Sequence, residues 1–396
     1  MPRSPLARLA GRRRLRRVLV AIPGGEYGGA ERYAVRIAAA AAQQGWEVAA
    51  AVRPHASLAP MRRDLDDAGV RVLRMVRGER GRELVGFIAM TAAYRPDVVH
   101  LTLPWPLAAG RLRASCALLG TPTVLVHQVV PDAAELDVRH AWAYRLLRRR
   151  RQHWVAVSAY GSRMLRQAFG LRASDEITVI HNAPRAADNG HHPASERAPA
   201  QRAEARAALG LETEGPVIVT VGRLAAEKGH DVLIDAAERL AGDWPGLRVL
   251  IAGEGAGHDK LQQRIDEARL GDCVRLLGQV QDVAHLLRAA DVFAFPSRRE
   301  GTPFALLEAM ARGVPVVAAR FGGADEIVVS GENGLLVAQD DPAGLADAIA
   351  GLLRDAAHAQ ELAERGRERA AQFSEPAMIG STLAVIGAAA GGEAHA

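Results

Sequence analysis

The chain has 396 residues, too many for one ordinary hydrophobic core, so two domains are expected. Nearly half of the residues are apolar, which argues against disorder away from the ends. The formal net charge of +5 is carried almost wholly by arginine, lysine occurring only at 228 and 260. Two distant cysteines, Cys116 and Cys273, exclude a disulfide framework and fit a reducing compartment.

The basic N-terminus has no apolar signal-peptide core, and no apolar run is expected to reach the roughly 18 residues needed to span a bilayer. A cytoplasmic protein is therefore expected. Arg12–Arg17, and Arg145 with Arg148–Arg151, form basic clusters. They read either as solvated arginine or as peripheral contact with the inner face of a membrane. No zinc-ligand spacing or aromatic-interleaved basic strand points to nucleic acid.

In chain order, RVLVAI (17–22) leads into the helical stretch 29–44 and then EVAAAV (47–52). The runs VRVLRM, DVVHL (97–101), TVLVH (123–127), HWVAVS (153–158) and ITVIHN (177–182) follow. These runs are continuously apolar, which predicts parallel strands covered on both faces. Their alternation with helices predicts a doubly wound α/β sheet.

The pattern breaks at a Pro- and Ala-rich stretch, 183–201, the best linker. A second series follows: VIVTVG (217–222), LRVLIAG (247–253), VRLLGQ (274–279), DVFAFPS (291–297), VPVVAA (314–319) and GLLV (334–337). The predicted organisation is an N-terminal Rossmann-like domain over 1–185, a linker over 186–201 and a C-terminal Rossmann-like domain over 202–371. Residues 372–390 are expected to pack back on the first domain. The strand C-termini of both domains should face a central cleft.

REGTPFALLEAM (299–310) holds two glutamates around an apolar helix. Thr302 is a natural N-cap and Pro303 suits the first helical position. The amides of Phe304, Ala305 and Leu306 would then be free donors at a positive helix end, suited to a diphosphate. Glu308 lies further along the helix on the face of Ala305, where a carboxylate can accept hydrogen bonds from a diol. Glu300 would sit at the cleft rim. The plainer alternative is a capped core helix.

Gly222-Arg223 ends a strand, and Lys228-Gly229 opens the next helix. Arginine can fork onto two phosphate oxygens, and lysine adds a compact charge. Gly28-Gly29 lies in a glycine-rich turn after the first strand and permits close ligand approach. GEGAG (253–257) contains G-x-G without the downstream acid of a dinucleotide site. His127 and His100 read as strand ends aimed into the cleft, where a histidine can bond sugar or phosphate oxygen. Asp64-Leu65-Asp66 falls within an evident helix and is rejected as a metal site.

Together these residues resemble the retaining glycosyltransferases of family 4, which have the GT-B fold. Glu300 and Glu308 reproduce the family's E-x7-E motif, with Glu227-Lys228-Gly229, GEG at 253–255 and GVPVVAARFGGADEIV (313–328) in matching order. GGAER (28–32), VSAYGSRML (157–165) and VIHNAP (179–184) resemble the N-terminal equivalents, although HNAP departs from the usual asparagine-glycine.

The resemblance implies transfer of a hexose or N-acetylhexosamine from a nucleotide-diphosphate sugar, UDP-linked by preference and GDP-linked as an alternative. It implies retained anomeric configuration and no metal or other cofactor. Arg223 and Lys228 would bind diphosphate, Glu308 ribose, Glu300 and His127 the donor sugar. Gly28, Gly29, Gly222, Gly253, Val280 and the amides of Phe304, Ala305 and Leu306 complete the implied donor site. The acceptor would be a lipid-linked or cell-envelope saccharide, or else a small natural product such as an aminocyclitol. Monomer and homodimer are both compatible. An NAD-dependent oxidoreductase needs a cleaner glycine fingerprint, and a phosphorylase needs a pyridoxal lysine. A non-catalytic sugar-binding module would not require so complete a charged set.

Overall fold

The structure is a computed structural model and describes residues 16–76, 80–104, 109–129, 151–172, 175–185, 199–211 and 215–391. Two parallel sheets organise the described residues. The first contains seven strands: β1 (Arg17–Ile22), β2 (Glu47–Val52), β3 (Arg71–Arg74), β4 (Val98–Leu103), β5 (Thr123–His127), β6 (Gln152–Ala156) and β7 (Ile177–Val179). Their spatial order is β3-β2-β1-β4-β5-β6-β7. The second contains six: β8 (Val217–Val221), β9 (Arg248–Ala252), β10 (Val274–Gly278), β11 (Val292–Phe295), β12 (Val316–Ala319) and β13 (Leu335–Val337). Their order, β10-β9-β8-β11-β12-β13, repeats the pattern of the first sheet. The expected doubly wound architecture is thus present twice.

Continuous apolar strands reflect burial on both faces. In β1, Val18, Val20 and Ile22 join one core, whereas Leu19 and Ala21 join the core behind the sheet. In the second sheet, Val217 and Val219 face the first of these cores, and Ile218 turns to a third. One apolar cluster therefore runs through both domains.

Both sheets reverse strand order beside their first strand, between β1 and β4 and between β8 and β11. In open α/β sheets, ligands bind beyond the strand C-termini at such switch points. The loops after β1, β8 and β11 meet there.

The helix Glu375–Gly391 crosses back to the first domain and packs against β4, β5 and β6. Tyr33 Oη and Thr382 Oγ1 lie 3.0 Å apart beneath it. Contrary to expectation, the stretch Ala356–Gly391 is long and apolar enough to span a bilayer by length and composition. Its Met378, Leu383, Ile386 and Ala389 are buried in the core shared with β1 and β5, and 39% of the apolar window is buried within the structure.

Candidate functional site

The turn after β8 is built by close backbone approach. Gly229 has φ +66°, and a Cβ there would lie 2.1 Å from the Pro296 carbonyl oxygen. A Cβ on Gly253 would lie 1.8 Å from the Gly222 carbonyl oxygen. These glycines press the loops after β8, β9 and β11 together. His230, buried at the start of its helix, lies with Nε2 3.0 Å from the Arg223 carbonyl. Burial lowers its pKa to about 4, leaving a neutral ring that can donate to that carbonyl.

This packing brings Lys228 to Glu300. Lys228 Nζ donates to Glu300 Oε1 at 2.6 Å, and Ser297 Oγ donates to the same oxygen at 2.7 Å. Glu300 is 6% exposed, so the expected rim glutamate is instead a buried partner of the lysine. Arg223 stands at the exposed mouth. Its guanidinium donates to Glu227 at 2.6 Å and lies 3.6 Å from Glu26 of the first domain.

The helix Phe304–Ala311 begins one residue later than expected. Pro303 is its N-cap, with no side-chain cap bond. Thr302 does not cap it, because the hydroxyl instead donates to the Val157 carbonyl across the domain boundary. The first helical bond runs from the Leu307 amide to the Pro303 carbonyl at 3.3 Å, so Phe304, Ala305 and Leu306 precede any intrahelical acceptor.

Gly28 and Gly29 face this constellation from the first domain. A Cβ on Gly29 would lie 3.2 Å from the Phe304 ring, and one on Gly28 3.8 Å from Arg223 Cδ. Beneath the turn, buried Glu31 accepts from the Gly28 amide at 3.0 Å. Burial pushes its carboxyl above the usual range.

Beside the loops is a cavity of about 530 Å3 lined by both domains. Glu308, Val280 and Arg312 contribute from the second domain, and Tyr27, Arg32 and Arg36 from the first. Glu308 is buried apart from this opening. Asp64, also on the wall, lies within the helix Ala59–Asp67 and accepts from the Tyr27 hydroxyl.

The histidine expectations need correction. His127 ends β5, but strand alternation turns it to the face of Leu125, onto Trp154 with ring centroids 5.1 Å apart. It is 2% exposed, and neither ring nitrogen has a hydrogen-bond partner among the described residues. Burial, aided by the Arg113 charge, lowers its pKa to about 3. His100 is mid-strand, since β4 continues to Leu103, and its ring stacks on Tyr33.

Two bridging groups were not apparent from the sequence. Asn182 Nδ2 donates to Gln128 Oε1 at 2.8 Å and to the Thr302 carbonyl at 3.0 Å. Glu326, within GGADEIV, accepts from the amides of Ala159 and Tyr160 at 2.8 and 2.6 Å, at the start of a first-domain helix. His181 Nε2 is 3.0 Å from the same carboxylate. Burial opposes the charge on Glu326, but these donors hold its pKa below the usual carboxylate range. The only sequence signal is Ser158, which caps that helix, so an acid opposite its amides is electrostatically favoured. Arg145, Arg148–Arg150 and Arg12–Arg14 lie outside the described residues.

Two facing Rossmann-like domains with charged loops across their cleft define a GT-B architecture. The model for glycosyl transferases group 1 matches residues 201–369, and that for glycosyltransferase family 4 matches 27–183. Between them they cover both domains, and the chain belongs to glycosyltransferase family 4. It is 39% identical over 191 residues to the D-inositol 3-phosphate glycosyltransferase of Corynebacterium urealyticum, covering 46% of this chain and 44% of that protein. It is 35% identical over 182 residues to the lipopolysaccharide core biosynthesis glycosyltransferase LpsE of Rhizobium meliloti, covering 46% and 52% respectively. The alignments thus span about half the length of these relatives.

The fold is also that of Anabaena Alr3699/HepE, solved in complex with UDP-glucose, with TM-score 0.78, 23% identity, and coverage of 93% of this chain and 99% of that one. A glycosyltransferase from Rickettsia africae superposes with TM-score 0.79 and 17% identity, covering 96% and 100%.

Proposed function

We propose that this protein transfers a hexose or N-acetylhexosamine from a nucleotide-diphosphate sugar, UDP-linked by preference, to an acceptor hydroxyl with retention of configuration. The carrying observation is the Lys228–Glu300 pair, 2.6 Å apart with its carboxylate buried, in loops that also present Arg223. The start of the Phe304–Ala311 helix and the cavity bearing Glu308 supply complementary chemistry. The leaving diphosphate would gain negative charge facing Lys228, Arg223 and the amides of Phe304–Leu306, whose fixed dipoles stabilise it. Glu308 would accept from ribose hydroxyls, with Val280 beside the base. Glu300, positioned by Lys228 and Ser297, would face the donor sugar.

These residues need no metal for that charge stabilisation. The leaving phosphate serves as the base for the incoming hydroxyl, which attacks from the face that the phosphate vacates. The lipopolysaccharide-core relatives support a saccharide acceptor on a lipid or envelope component. The D-inositol 3-phosphate relatives support the second reading, a small cyclitol acceptor.

The test is a thermal-shift panel of UDP, GDP, ADP and their sugar conjugates on wild type and Lys228→Ala. A nucleoside diphosphate that binds the native state raises Tm by mass action, and Lys228→Ala should lose most of the rise. NMR of the product's anomeric proton then reads the stereochemistry. Stabilisation by NAD alone, or an inverted product, overturns the corresponding part.

A further inference from the structure

Arg298 lies outside the donor contacts assigned above, yet it joins the two segments that carry Lys228 and Glu300. Its Nη1 and Nη2 donate to the Asp231 carboxylate at 3.0 and 2.8 Å, and its Nε donates to Asp340 at 2.6 Å. Nη1 also donates to the Ala226 carbonyl, two residues before Lys228. The Arg298 amide donates to the Glu227 carbonyl at 2.8 Å. Its own carbonyl accepts from Gln339 Nε2 at 2.7 Å. Arg298 therefore fastens the loop of Glu300 to the turn of Lys228, and both to the first turn of the helix His230–Ala241.

We propose that Arg298 is the positioning residue of the Lys228–Glu300 pair, setting how the lysine is presented to the donor diphosphate through its ties to Ala226, Glu227 and Asp231. This rests on the function proposed above. A planar guanidinium can satisfy Asp231 bidentately while also reaching a carbonyl and a second carboxylate, whereas a lysine ammonium can hold only part of that set. The two carboxylates orient Arg298 away from phosphate duty. Its contribution is accordingly to binding geometry, because a preorganised charged contact loses much of its value when one group is displaced.

The experiment measures Kd for UDP, GDP and ADP by calorimetry on wild type, Arg298→Gln, Arg298→Lys, Lys228→Ala and the double variant Arg298→Gln/Lys228→Ala. Tm is recorded for each. Arg298→Gln should weaken the preferred nucleotide by about tenfold, a typical coupling for residues in one network. Arg298→Lys should recover part of that loss, and the double variant should bind no more weakly than Lys228→Ala alone. A merely structural role would lower Tm without this non-additivity. Unchanged Kd in Arg298→Gln, or additive losses in the double variant, overturns the inference. If Arg298→Gln fails to fold, Arg298→Lys combined with Lys228→Ala closes the same cycle, and additive losses there overturn the inference equally. Failure of wild type to bind any nucleoside diphosphate instead overturns the proposed function itself.

Discussion

Lys228 and Glu300, 72 residues apart in sequence, meet at 2.6 Å with the carboxylate almost fully buried. Each therefore controls the other's availability. Removing the lysine strands a buried carboxylate and removes the compact charge proposed to hold diphosphate. Lys228→Ala should reduce kcat/KM by about 10²–10³-fold, the scale for losing one preorganised electrostatic donor. Steady-state kinetics with the donor identified in the panel would measure it.

Glu300→Gln should separate binding from transfer. The amide releases Lys228 from a competing anion, so nucleoside diphosphate should bind as tightly as in wild type or more tightly. Transfer of sugar should nevertheless fall steeply, because the carboxylate proposed to face the sugar is gone. Calorimetry with UDP and turnover measurements on the same preparation check both halves. Weaker UDP binding in Glu300→Gln would contradict the shared-partner account.

Gly301 lies where the Glu300 loop meets the first domain. A Cβ there would be 2.3 Å from the Gln128 carbonyl oxygen and 2.5 Å from Val157 Cγ2. Gly301→Ala should therefore spread the domains and lower kcat/KM by roughly tenfold or more, as expected when reacting groups shift by about an ångström. Small-angle scattering should show the increase in dimensions, while far-ultraviolet circular dichroism remains unchanged.

Stability should decline on acidification in a defined window. His100, His127 and His230 are buried with folded pKa values lowered to about 4, 3 and 4. The unfolded chain therefore binds more protons than the folded chain below the ordinary histidine value of about 6.5. Their neutral forms favour folding above that value. The advantage shrinks as pH falls from about 6.5 toward 4, by up to about 1.4 kcal/mol per pH unit for each histidine. Urea midpoints between pH 7 and 4.5 would measure the slope. His100→Gln should flatten it if that variant retains the native fold.

Glu326 acts in the same direction at lower pH. Its folded pKa is depressed, so its stabilisation is present above the usual carboxylate value and is lost as pH falls through the folded one. Glu326→Ala removes the acceptor for two helix-start amides and for His181. It should cost about 1–3 kcal/mol at neutral pH, measured by denaturant unfolding.

The repeated α/β order was legible because parallel strands buried on both faces leave uninterrupted apolar runs. β1, β2 and β5 match their predicted runs residue for residue. The glutamates of 299–310 and Lys228 were conspicuous for similar reasons: charge in apolar company, and lysine where the chain otherwise uses arginine. The orientation of His127 was not legible, because ending a strand does not determine which face a side chain takes. Thr302 departs from expectation because local capping preference lost to a carbonyl from the other domain. Arg298, Asn182 and Glu326 find partners 67, 120 and 167 residues away, and no local periodicity encodes such pairings.

The return of Glu375–Gly391 to the first domain has a mechanical meaning. The backbone passes between domains once after the first sheet and again before this helix. Two separate passages define a line, whereas one defines only a point. A relative motion that kept both passages fixed would be a rotation about that line. Such motion would move Gly28 and Gly29 toward or away from Arg223 and Phe304 along a restricted path. The last helix would be the second pivot of such a rotation, although none of its side chains lines the cavity.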